Sequence, residues 1–353
     1  MLIRFLQAAN GDAILISVPA EKGHYHVLID GGPGKAYHQK SDKFKFLDGD
    51  LKKVIKEIRN KSEVIDLLIL THVDDDHIGG LLKWFELDDE AAKLVKKVWF
   101  NSGKLIAEYL AAEPPQAAEL TLLKNNLDTG ISQGVTFECI ISKAGIWGRR
   151  IIKAGDTLPF RDMVFRFISP GVPQLRVLLE KWEREAPDSL TAPATDYSLP
   201  LQQFLDEDEL DEDDAPHNGS SLAFILTYHE KNILFLGDGH PGVLVSGLAI
   251  FGFNKDNPLK AELVKLSHHG SCRNLSLQLL EVVESSNFVI SSDGSKYGLP
   301  DKRCLARIIK TKESPHLLFN YPDKITEIFT EDDRKVKAFR TSGTGAGFTI
   351  DDE

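Results

Sequence analysis

Residues 71–80, THVDDDHIGG, place two histidines and three aspartates in the six positions from His72 to His77. They directly follow the apolar run VIDLLIL. Desolvating so many ionisable groups costs free energy unless they are paired or bind a cation. Imidazole and carboxylate together suit zinc, manganese or iron, whereas calcium prefers oxygen ligands from a longer loop. The segment therefore predicts a metal site.

The spacing inside this segment narrows the choice of ligands. His72, Asp74 and Asp76 alternate, so an extended chain would place them on one face, while the adjacent Asp76 and His77 would diverge. A turn at the end of the strand brings both sets around one small volume. We therefore predict metal ligands at His72, Asp74, Asp76 and His77, and we expect Asp75 to face outward.

A single metal ion does not need so many donors, and further candidates occur elsewhere. They lie at or near the ends of apolar runs: Asp30, His217, Asp238, His268 and His269. Asp238 follows ILFL, so a buried strand would aim its carboxylate, which could bridge two cations. Two metal ions about 3.5–4 Å apart can activate a water and stabilise both the attacking and the leaving oxygens.

Several of these residues also have ordinary structural interpretations. Asp12 and Asp30 are typical turn residues, although two glycines follow Asp30 and would let the backbone approach a metal cluster closely. The HHGS segment at 268–271 is compatible with a helix cap. His240, in GDGH, is ambiguous, with a structural role favoured.

Strands and helices predicted from hydrophobic periodicity position these groups. The predicted strands include LIRFLQ, DAILISV, YHVLID, VIDLLIL, MVFRFIS, SLAFILTY, NILFL, AELVKLS, NFVI and HLLF. The predicted helices include GDLKKVIKEIRN, IGGLLKWFEL, VPQLRVLLEKWEREA, NLSLQLLEVVE and KRCLARIIK. Two mixed sheets packed together with helices outside satisfy this order, so the predicted fold class is α/β (α+β).

The chain has 353 residues. We predict one domain over 1–353, with a probable helical insertion or lid at 87–145. The acidic run from Asp206 to Asp214 is predicted to be a solvated loop, because like charges repel and extend a segment.

Composition indicates the expected environment. The net charge of -11 disfavours non-specific attraction to nucleic acid or anionic membranes. Three widely spaced cysteines argue against a disulfide framework and suit a reducing cytosol. The first residues lack a basic segment followed by a long apolar core, so no signal peptide is expected, and no apolar stretch approaches the roughly 20 residues that span a bilayer. We expect a cytoplasmic protein that does not enter the membrane.

Taken together, these motifs resemble the metallo-β-lactamase fold superfamily. THVDDDHIGG resembles its H-x-[HD]-x-D-H signature, and the match is close to the subgroup that contains the hydrolase domain of the competence protein ComEC. NGDAILIS with VLIDGGPG, KAGDTLPF with ISPG, NGSSLAFI with LFLGDG, VKLSHHGS and YGLP resemble motifs of that domain in the same order. The resemblance covers roughly residues 2–301 and implies a four-layer αββα sandwich, in which the predicted helical insertion at 87–145 is larger than a minimal hydrolase domain is expected to carry.

The resemblance also implies roles for individual residues. His72 and Asp74 would hold one metal ion, Asp76 and His77 the other, and Asp238 would bridge them. The third-motif ligand would be His217, or Asn218 as in the competence-type subgroup. One of His268 and His269 would complete the metal site or contact the developing charge of the substrate, and the predicted metal set includes His269. The expected cofactors are two divalent metal ions, with zinc or manganese favoured.

Two positions depart from the family pattern. Asp74 replaces the commoner histidine, which hardens the site and makes manganese or magnesium more plausible. Leu299 replaces the usual histidine of the closing Y-G-H-P element, so a substrate or metal contact is expected to be missing there.

The favoured function is a metal-dependent hydrolase, a phosphodiesterase or nuclease with a metal-activated water at a dinuclear site. Asp76, His268 and His269 are its candidate catalytic residues, Asp76 orienting the water. A small ester, thioester, lactam or peptide substrate is the first alternative. The second is a metal-poor effector or scaffold in a bacterial defence complex with protein partners. Five basic residues near the predicted site could form a modest patch for nucleic acid, although ordinary surface charge is the favoured interpretation: Lys265, Arg273, Lys296, Lys302 and Arg303.

Overall fold

The computed structural model describes residues 1–40, 46–111, 130–182 and 195–351. The chain divides into two compact units. The first contains residues 1–152, 175–189 and 346–353, and the second contains residues 153–174 and 190–345. Each unit has its own large sheet and its own cluster of buried apolar side chains. The predicted α/β fold class is confirmed.

The first unit contains a six-stranded sheet and a short hairpin. Its strands are β1 (Leu2–Phe5), β2 (Ile14–Pro19), β3 (His24–Ile29), β4 (His38–Lys40), β5 (Phe46–Asp48), β6 (Ile65–Ile69), β7 (Val98–Trp99) and β18 (Phe348–Thr349). Its helices are α1 (Gly34–Tyr37), α2 (Asp50–Asn60), α3 (Asp75–Leu87), α4 (Ala91–Leu94), α5 (Gly103–Leu110) and α6 (Gly130–Lys143). The order of the large sheet is β18-β1-β2-β3-β6-β7, antiparallel from β18 to β3 and parallel from β3 to β7.

The second unit contains an eight-stranded sheet and a short two-stranded sheet. Its strands are β8 (Thr157–Phe160), β9 (Met163–Ser169), β10 (Ala223–Tyr228), β11 (Lys231–Phe235), β12 (Leu259–Lys260), β13 (Leu263–Lys265), β14 (Val283–Glu284), β15 (Asn287–Ile290), β16 (His316–Phe319) and β17 (Arg340–Gly343). Its helices are α8 (Leu201–Asp206), α9 (Pro216–Gly219), α10 (Pro241–Ile250), α11 (Leu277–Glu281), α12 (Lys302–Thr311), α13 (Lys324–Ile328) and α14 (Asp333–Val336). Helix α7 (Val172–Trp182) has residues in both units.

The order of the large sheet in the second unit is β17-β16-β15-β13-β11-β10-β9-β8. Strands β11, β13, β15, β16 and β17 are parallel, and β8 to β11 are antiparallel. Both large sheets thus combine an antiparallel part with a parallel part. Because the carboxyl ends of parallel strands meet at one sheet edge, residues that follow these strands become neighbours.

Helix α2 illustrates how the predicted periodicity forms an element. Leu51, Val54, Ile55 and Ile58 lie on one helical face and are all buried. Asp50 in the first turn and Arg59 in the last turn complement the helix dipole. All five residues of strand β6 are buried, including Asp66, as its mostly apolar sequence predicted.

Two sequence-based predictions differ from the structure in detail. The predicted helix NLSLQLLEVVE is only partly helical, because α11 ends at Glu281 and Val283 pairs in parallel with Leu259. In this segment, pairing with a distant strand outweighs the helical periodicity of the sequence. The predicted insertion at 87–145 contains helices α4, α5 and α6 but also strand β7, and its central residues 112–129 lie outside the described residues. One domain with an insertion stays a prediction.

None of the helices in the described ranges is both long enough and apolar enough to cross a bilayer.

The start of helix α3 is held against the loop after β3 by a close backbone contact. The amide of Gly80 donates a hydrogen bond to the carbonyl of Gly32 at 2.7 Å. A Cβ atom at position 80 would lie 2.0 Å from the carbonyl oxygen of Gly31. This contact positions the turn that carries the histidine and aspartate signature.

Gly80→Ala is therefore expected to lower the free energy of unfolding by about 2 kcal/mol through overpacking, although alanine ordinarily stabilises a helix relative to glycine. Gly148→Ala is the matched control, since a Cβ at position 148 has no neighbour within 4 Å. Urea unfolding of both variants measures the difference. Equal midpoints for the two variants would contradict the close contact at Gly80.

Candidate functional site

Asp30 organises the polar cluster of the first unit. It follows β3, and its parallel neighbour β6 leads into Thr71 and His72. The carboxylate is buried and accepts hydrogen bonds from the Thr71 amide at 2.7 Å, the Thr71 hydroxyl at 2.7 Å and His77 Nδ1 at 2.8 Å. Its backbone φ of 56° lies in the left-handed region, which aspartate tolerates better than most residues. The structure thus gives Asp30 a supporting role for the signature histidines.

These hydrogen bonds select one tautomer for both signature imidazoles. His77 Nδ1 donates to Asp30, so in the neutral ring the lone pair is on Nε2. The Thr71 hydroxyl donates its proton to Asp30, so its oxygen accepts from His72 Nδ1 at 3.1 Å, and the His72 lone pair is also on Nε2. The two ring centroids are 4.1 Å apart, and ligand atoms of the two rings lie within 4.8 Å of one another. An imidazole held by a carboxylate in this way is typical of metal-binding histidines.

The three aspartates of the signature occupy different environments at the start of α3. Asp76 is buried and accepts a hydrogen bond from Asn10 Nδ2 at 3.0 Å. Asp74 precedes the helix, is one-third exposed, and places Oδ2 3.8 Å from His72 Nε2. Asp75, which was expected to face outward, is half-buried, and its carboxylate accepts a hydrogen bond from Gln133 Nε2 at 2.8 Å. All three also complement the positive end of the helix dipole.

The first unit brings in one donor that sequence reasoning treated as a turn residue. Asp12 is 3% exposed, and it offers a carboxylate oxygen within 4.8 Å of a ligand atom of His77. Its amide bonds to the Asp76 carbonyl at 3.1 Å. Gly31, the first glycine after Asp30, is needed for close packing against helix α3, because a Cβ at this position would lie 2.6 Å from Leu81 Cγ.

In the second unit, parallel strands bring Asp238, His268 and His269 together. Asp238 comes after β11, the histidines come after β13, and Ser291 comes after β15. His269 is fully buried, its Nδ1 donates to the Ser291 carbonyl at 3.1 Å, and its Nε2 lies 3.9 Å from Asp238 Oδ2. His268 Nε2 is also 3.9 Å from the same oxygen, but its side chain is 23% exposed.

The two adjacent histidines have strained backbones. The φ angles of His268 and His269 are 44° and 56°, both in the left-handed region that glycine normally occupies. Such strain concentrates at functional sites, where the surrounding structure enforces it. The backbone geometry therefore supports a functional role for the pair.

The third-motif residues His217 and Asn218 lie on the short helix α9, and both are buried. Asn218 Nδ2 donates to Asp213 at 2.6 Å. Its buried Oδ1 accepts no hydrogen bond from the part of the chain that the structure describes. A buried acceptor of this kind is costly unless an ion or ligand satisfies it, so the Asn218 side chain can serve as a ligand, and the choice between His217 and Asn218 stays a prediction.

Asp213 is a site residue that sequence reasoning missed, because it belongs to the acidic run predicted to be a solvated loop. Most of that run is exposed, but Asp213 is 7% exposed and Asp208 pairs with the buried Arg307 at 2.7 Å. Burial raises the pKa of Asp213, but the nearby His268 imidazole and the hydrogen bonds from Asn274 and Asn218 outweigh it and hold the pKa well below its usual range. The prediction of a solvated loop is wrong at these two positions.

The predicted basic patch is not formed by the residues proposed for it. Lys265 and Lys302 are each 1% exposed, and Lys302 pairs with Asp333 at 2.7 Å. Arg273 pairs with Asp211 and Asp214 of the acidic run. Arg303 donates to the Glu209 carbonyl and lies over the Phe204 ring, and Lys296 lies over the Tyr297 ring. Burial or ion pairing therefore occupies Lys265, Lys302 and Arg273, which leaves them unsuited to a track for nucleic acid.

Leu299, at the position of the missing histidine, is buried and offers no polar group. The remaining donors fit divalent metal ions, because buried imidazoles with fixed Nδ1 protons lie beside carboxylates in each unit. The first unit offers Asp12, His72, Asp74, Asp76 and His77. The second offers Asn218, Asp238, His268 and His269, with His217 adjacent.

Comparison with known proteins identifies the family of the chain. The family model described as "Metallo-beta-lactamase superfamily" matches residues 9–290. A curated relative, ComE operon protein 3 of Bacillus subtilis (strain 168), is 21% identical over 335 residues, or 92% of this chain. The chain spans only 33% of that relative's length.

Solved structures give distant likenesses. The metallo-beta-lactamase fold protein YhfI of Bacillus subtilis is 10% identical with a TM-score of 0.39, and 98% of this chain and 97% of YhfI are covered. The superfamily protein ST1585 of Sulfolobus tokodaii is 15% identical with a TM-score of 0.26, with coverage of 67% and 62%. The family model, which matches most of the sequence, establishes that the chain belongs to the metallo-β-lactamase superfamily.

Proposed function

We propose that the protein is a metal-dependent hydrolase that cleaves a phosphodiester. Members of the superfamily are mostly hydrolases. The predicted ligands are His72, Asp74, Asp76, His77, Asp238, His269 and one of His217 and Asn218, with two divalent ions, zinc or manganese, as the expected complement. The observation that supports metal-dependent hydrolysis is the Asp30 carboxylate, which fixes the tautomers of His72 and His77, and the choice of a phosphodiester rests on the likeness of the motifs to the ComEC hydrolase domain.

Divalent ions bound by such ligands would activate a water and offset charge on the leaving oxygen. The chain's own residues supply the rest. Asp30 and Thr71 hold His72 in orientation. Asp76 is restrained by Asn10 and can orient the water. His268 is the more exposed of the two adjacent histidines and can contact charge that develops on the substrate.

A small or short phosphodiester fits this protein better than long duplex DNA. Polyanion binding requires a cationic track, and burial or pairing occupies the basic residues expected to supply one. The net charge of -11 adds long-range repulsion. The burial and pairing of these basic residues also suit the second candidate, an uncharged ester, thioester, lactam or peptide substrate.

Metal content and a substrate panel test the proposal. Mass spectrometry of the purified protein is expected to find divalent metal. With manganese or zinc added, cyclic nucleotides and short oligonucleotides are expected to be hydrolysed faster than duplex DNA, with little dependence on salt. A β-lactam and a thioester serve as comparison substrates, and faster turnover of either would replace the phosphodiester. Absence of bound metal would contradict the mechanism, and steeply salt-dependent cleavage of duplex DNA would contradict the preference for small substrates.

A further inference from the structure

Asp213 joins three segments of the second unit that carry candidate site residues. Its Oδ2 accepts from Asn218 Nδ2 at 2.6 Å and from Asn274 Nδ2 at 2.9 Å, and its Oδ1 accepts from the Ala215 amide at 3.0 Å. The same Oδ2 lies 3.6 Å from His268 Nδ1. The carboxylate is therefore a shared acceptor for the third-motif helix and the loop after the adjacent histidines.

The backbone around Asp213 is fixed by contacts outside this cluster. The Asp213 amide donates to the Arg273 carbonyl at 3.2 Å. Arg273 Nη2 in turn donates to the Glu212 carbonyl at 3.0 Å. The buried Arg307 donates to the Glu209 carbonyl at 2.7 Å and to the Leu275 carbonyl at 2.6 Å. These bonds hold the backbone of the acidic run in place around the Asp213 carboxylate.

An ionised carboxylate only accepts hydrogen bonds, so it determines which way a neighbouring amide points. Asn274 uses its Nδ2 on Asp213 and on the Asp238 carbonyl, the latter at 3.2 Å. Its Oδ1 must then face His268 Nδ1, at a distance of 3.0 Å. That contact requires a proton on Nδ1. Asn218 Nδ2 is also 3.4 Å from His268 Nδ1, but the longer distance and its 2.6 Å bond to Asp213 make this the weaker contact.

We infer that Asp213 and Asn274 are positioning residues for His268. Asp213 orients the Asn274 amide, and Asn274 holds the His268 ring as its Nδ1–H tautomer. The Nε2 lone pair of His268 then faces Asp238 and the reaction space instead of the protein interior. The functional use of this ring rests on the proposed hydrolase activity, but its tautomer does not.

Long-range ¹H–¹⁵N NMR on protein with ¹⁵N-labelled histidine tests the inference without added metal. At about pH 8, above the ordinary pKa of imidazole, wild-type His268 is expected to show the Nδ1–H tautomer. His268→Gln assigns the signal. Asp213→Asn leaves His268 itself unchanged and keeps the shape of the side chain at position 213. It allows the Asn274 amide to flip, so that its oxygen no longer has to face His268. Its expected result is a shift of about tenfold toward Nε2–H, the scale of one lost hydrogen bond.

Two further variants separate positioning from general effects. Asp214→Asn is the matched control, because Asp214 is the next residue in the run and its side chain is 93% exposed. It is expected to leave the His268 signal unchanged. Asn274→Leu removes the acceptor directly and is expected to shift the tautomer as Asp213→Asn does. Thermal melting confirms that each variant is folded before its spectrum is compared.

A charged ring or an Nε2–H tautomer in the wild-type protein would overturn the inference. So would a wild-type tautomer that persists in folded Asp213→Asn and Asn274→Leu. If the protein hydrolyses none of the panel substrates but the tautomer shifts as expected, the proposed function fails and the positioning role stands. If hydrolysis occurs and the tautomer does not respond, the reverse holds.

Discussion

Asp76→Ala is expected to reduce hydrolysis roughly a thousandfold, the scale of losing one preorganised charged group from an active site. Asp76 is buried, restrained by Asn10, and placed at the start of α3 beside His77. The variant removes a predicted metal ligand and the group that orients the water. Steady-state kinetics and metal content by mass spectrometry measure the two losses separately.

Asp75→Ala is the matched control for this variant. Asp75 lies in the same first turn and its replacement also removes one acidic group from the helix N-terminus, so both variants lose the same favourable dipole interaction. Asp75 bonds to Gln133 and is not a predicted ligand. Its activity is expected to stay within about threefold of wild type, since dipole interactions of this kind are worth below about 1 kcal/mol. Equal losses in both variants would mean that helix electrostatics, not ligation, sets the activity.

Asp30→Asn is expected to weaken metal binding by about 10–100-fold, the usual effect of removing a carboxylate that supports a ligating histidine. Asparagine tolerates the left-handed backbone at this position, so the substitution changes charge and acceptor capacity with little added strain. An amide can accept from Thr71 or from His77 but cannot replace all three hydrogen bonds of the carboxylate. The variant is also expected to lose about 3 kcal/mol of stability, because buried donors lose their acceptor.

Asp66→Asn controls for loss of a buried carboxylate as such. Asp66 lies in β6, is 4% exposed, and accepts from the His26 amide at 3.1 Å and from Lys96 at 2.9 Å. Its replacement is expected to lower stability without changing metal affinity. Metal titration by calorimetry compares the two variants with wild type. An unchanged affinity in Asp30→Asn would contradict the supporting role of Asp30.

The sequence was sufficient to predict the fold class and the residues at the strand ends. The signature at 72–77 follows a uniformly buried strand, and Asp238 follows the ILFL run of β11. In both cases an apolar run followed by polar residues marks the end of a strand and the side chains that follow it. The adjacent histidines at 268 and 269 likewise follow an apolar strand. Each of these predictions depended only on the order of apolar and polar residues within a short segment, which the sequence gives directly.

Residues whose roles depend on distant partners could not be predicted. Nothing local distinguishes Asp213 from the exposed Asp211 and Asp214, because its burial comes from Asn218 and Asn274. Lys302 is a second example, because its charge is neutralised by Asp333, 31 positions away. Asp30 looked like a turn residue until its carboxylate was placed opposite Thr71 and His77. Non-local pairing decides such cases, and hydrophobic periodicity does not reveal it.

The left-handed backbone at His268 and His269 sets a limit on how stable this protein can become. Each non-glycine residue held in that conformation costs on the order of 1 kcal/mol. Glycine would relax the turn, but it would delete the imidazoles. Stability and chemistry therefore favour different residues at positions 268 and 269. Substitutions that stabilise the protein without removing these imidazoles must lie elsewhere in the chain.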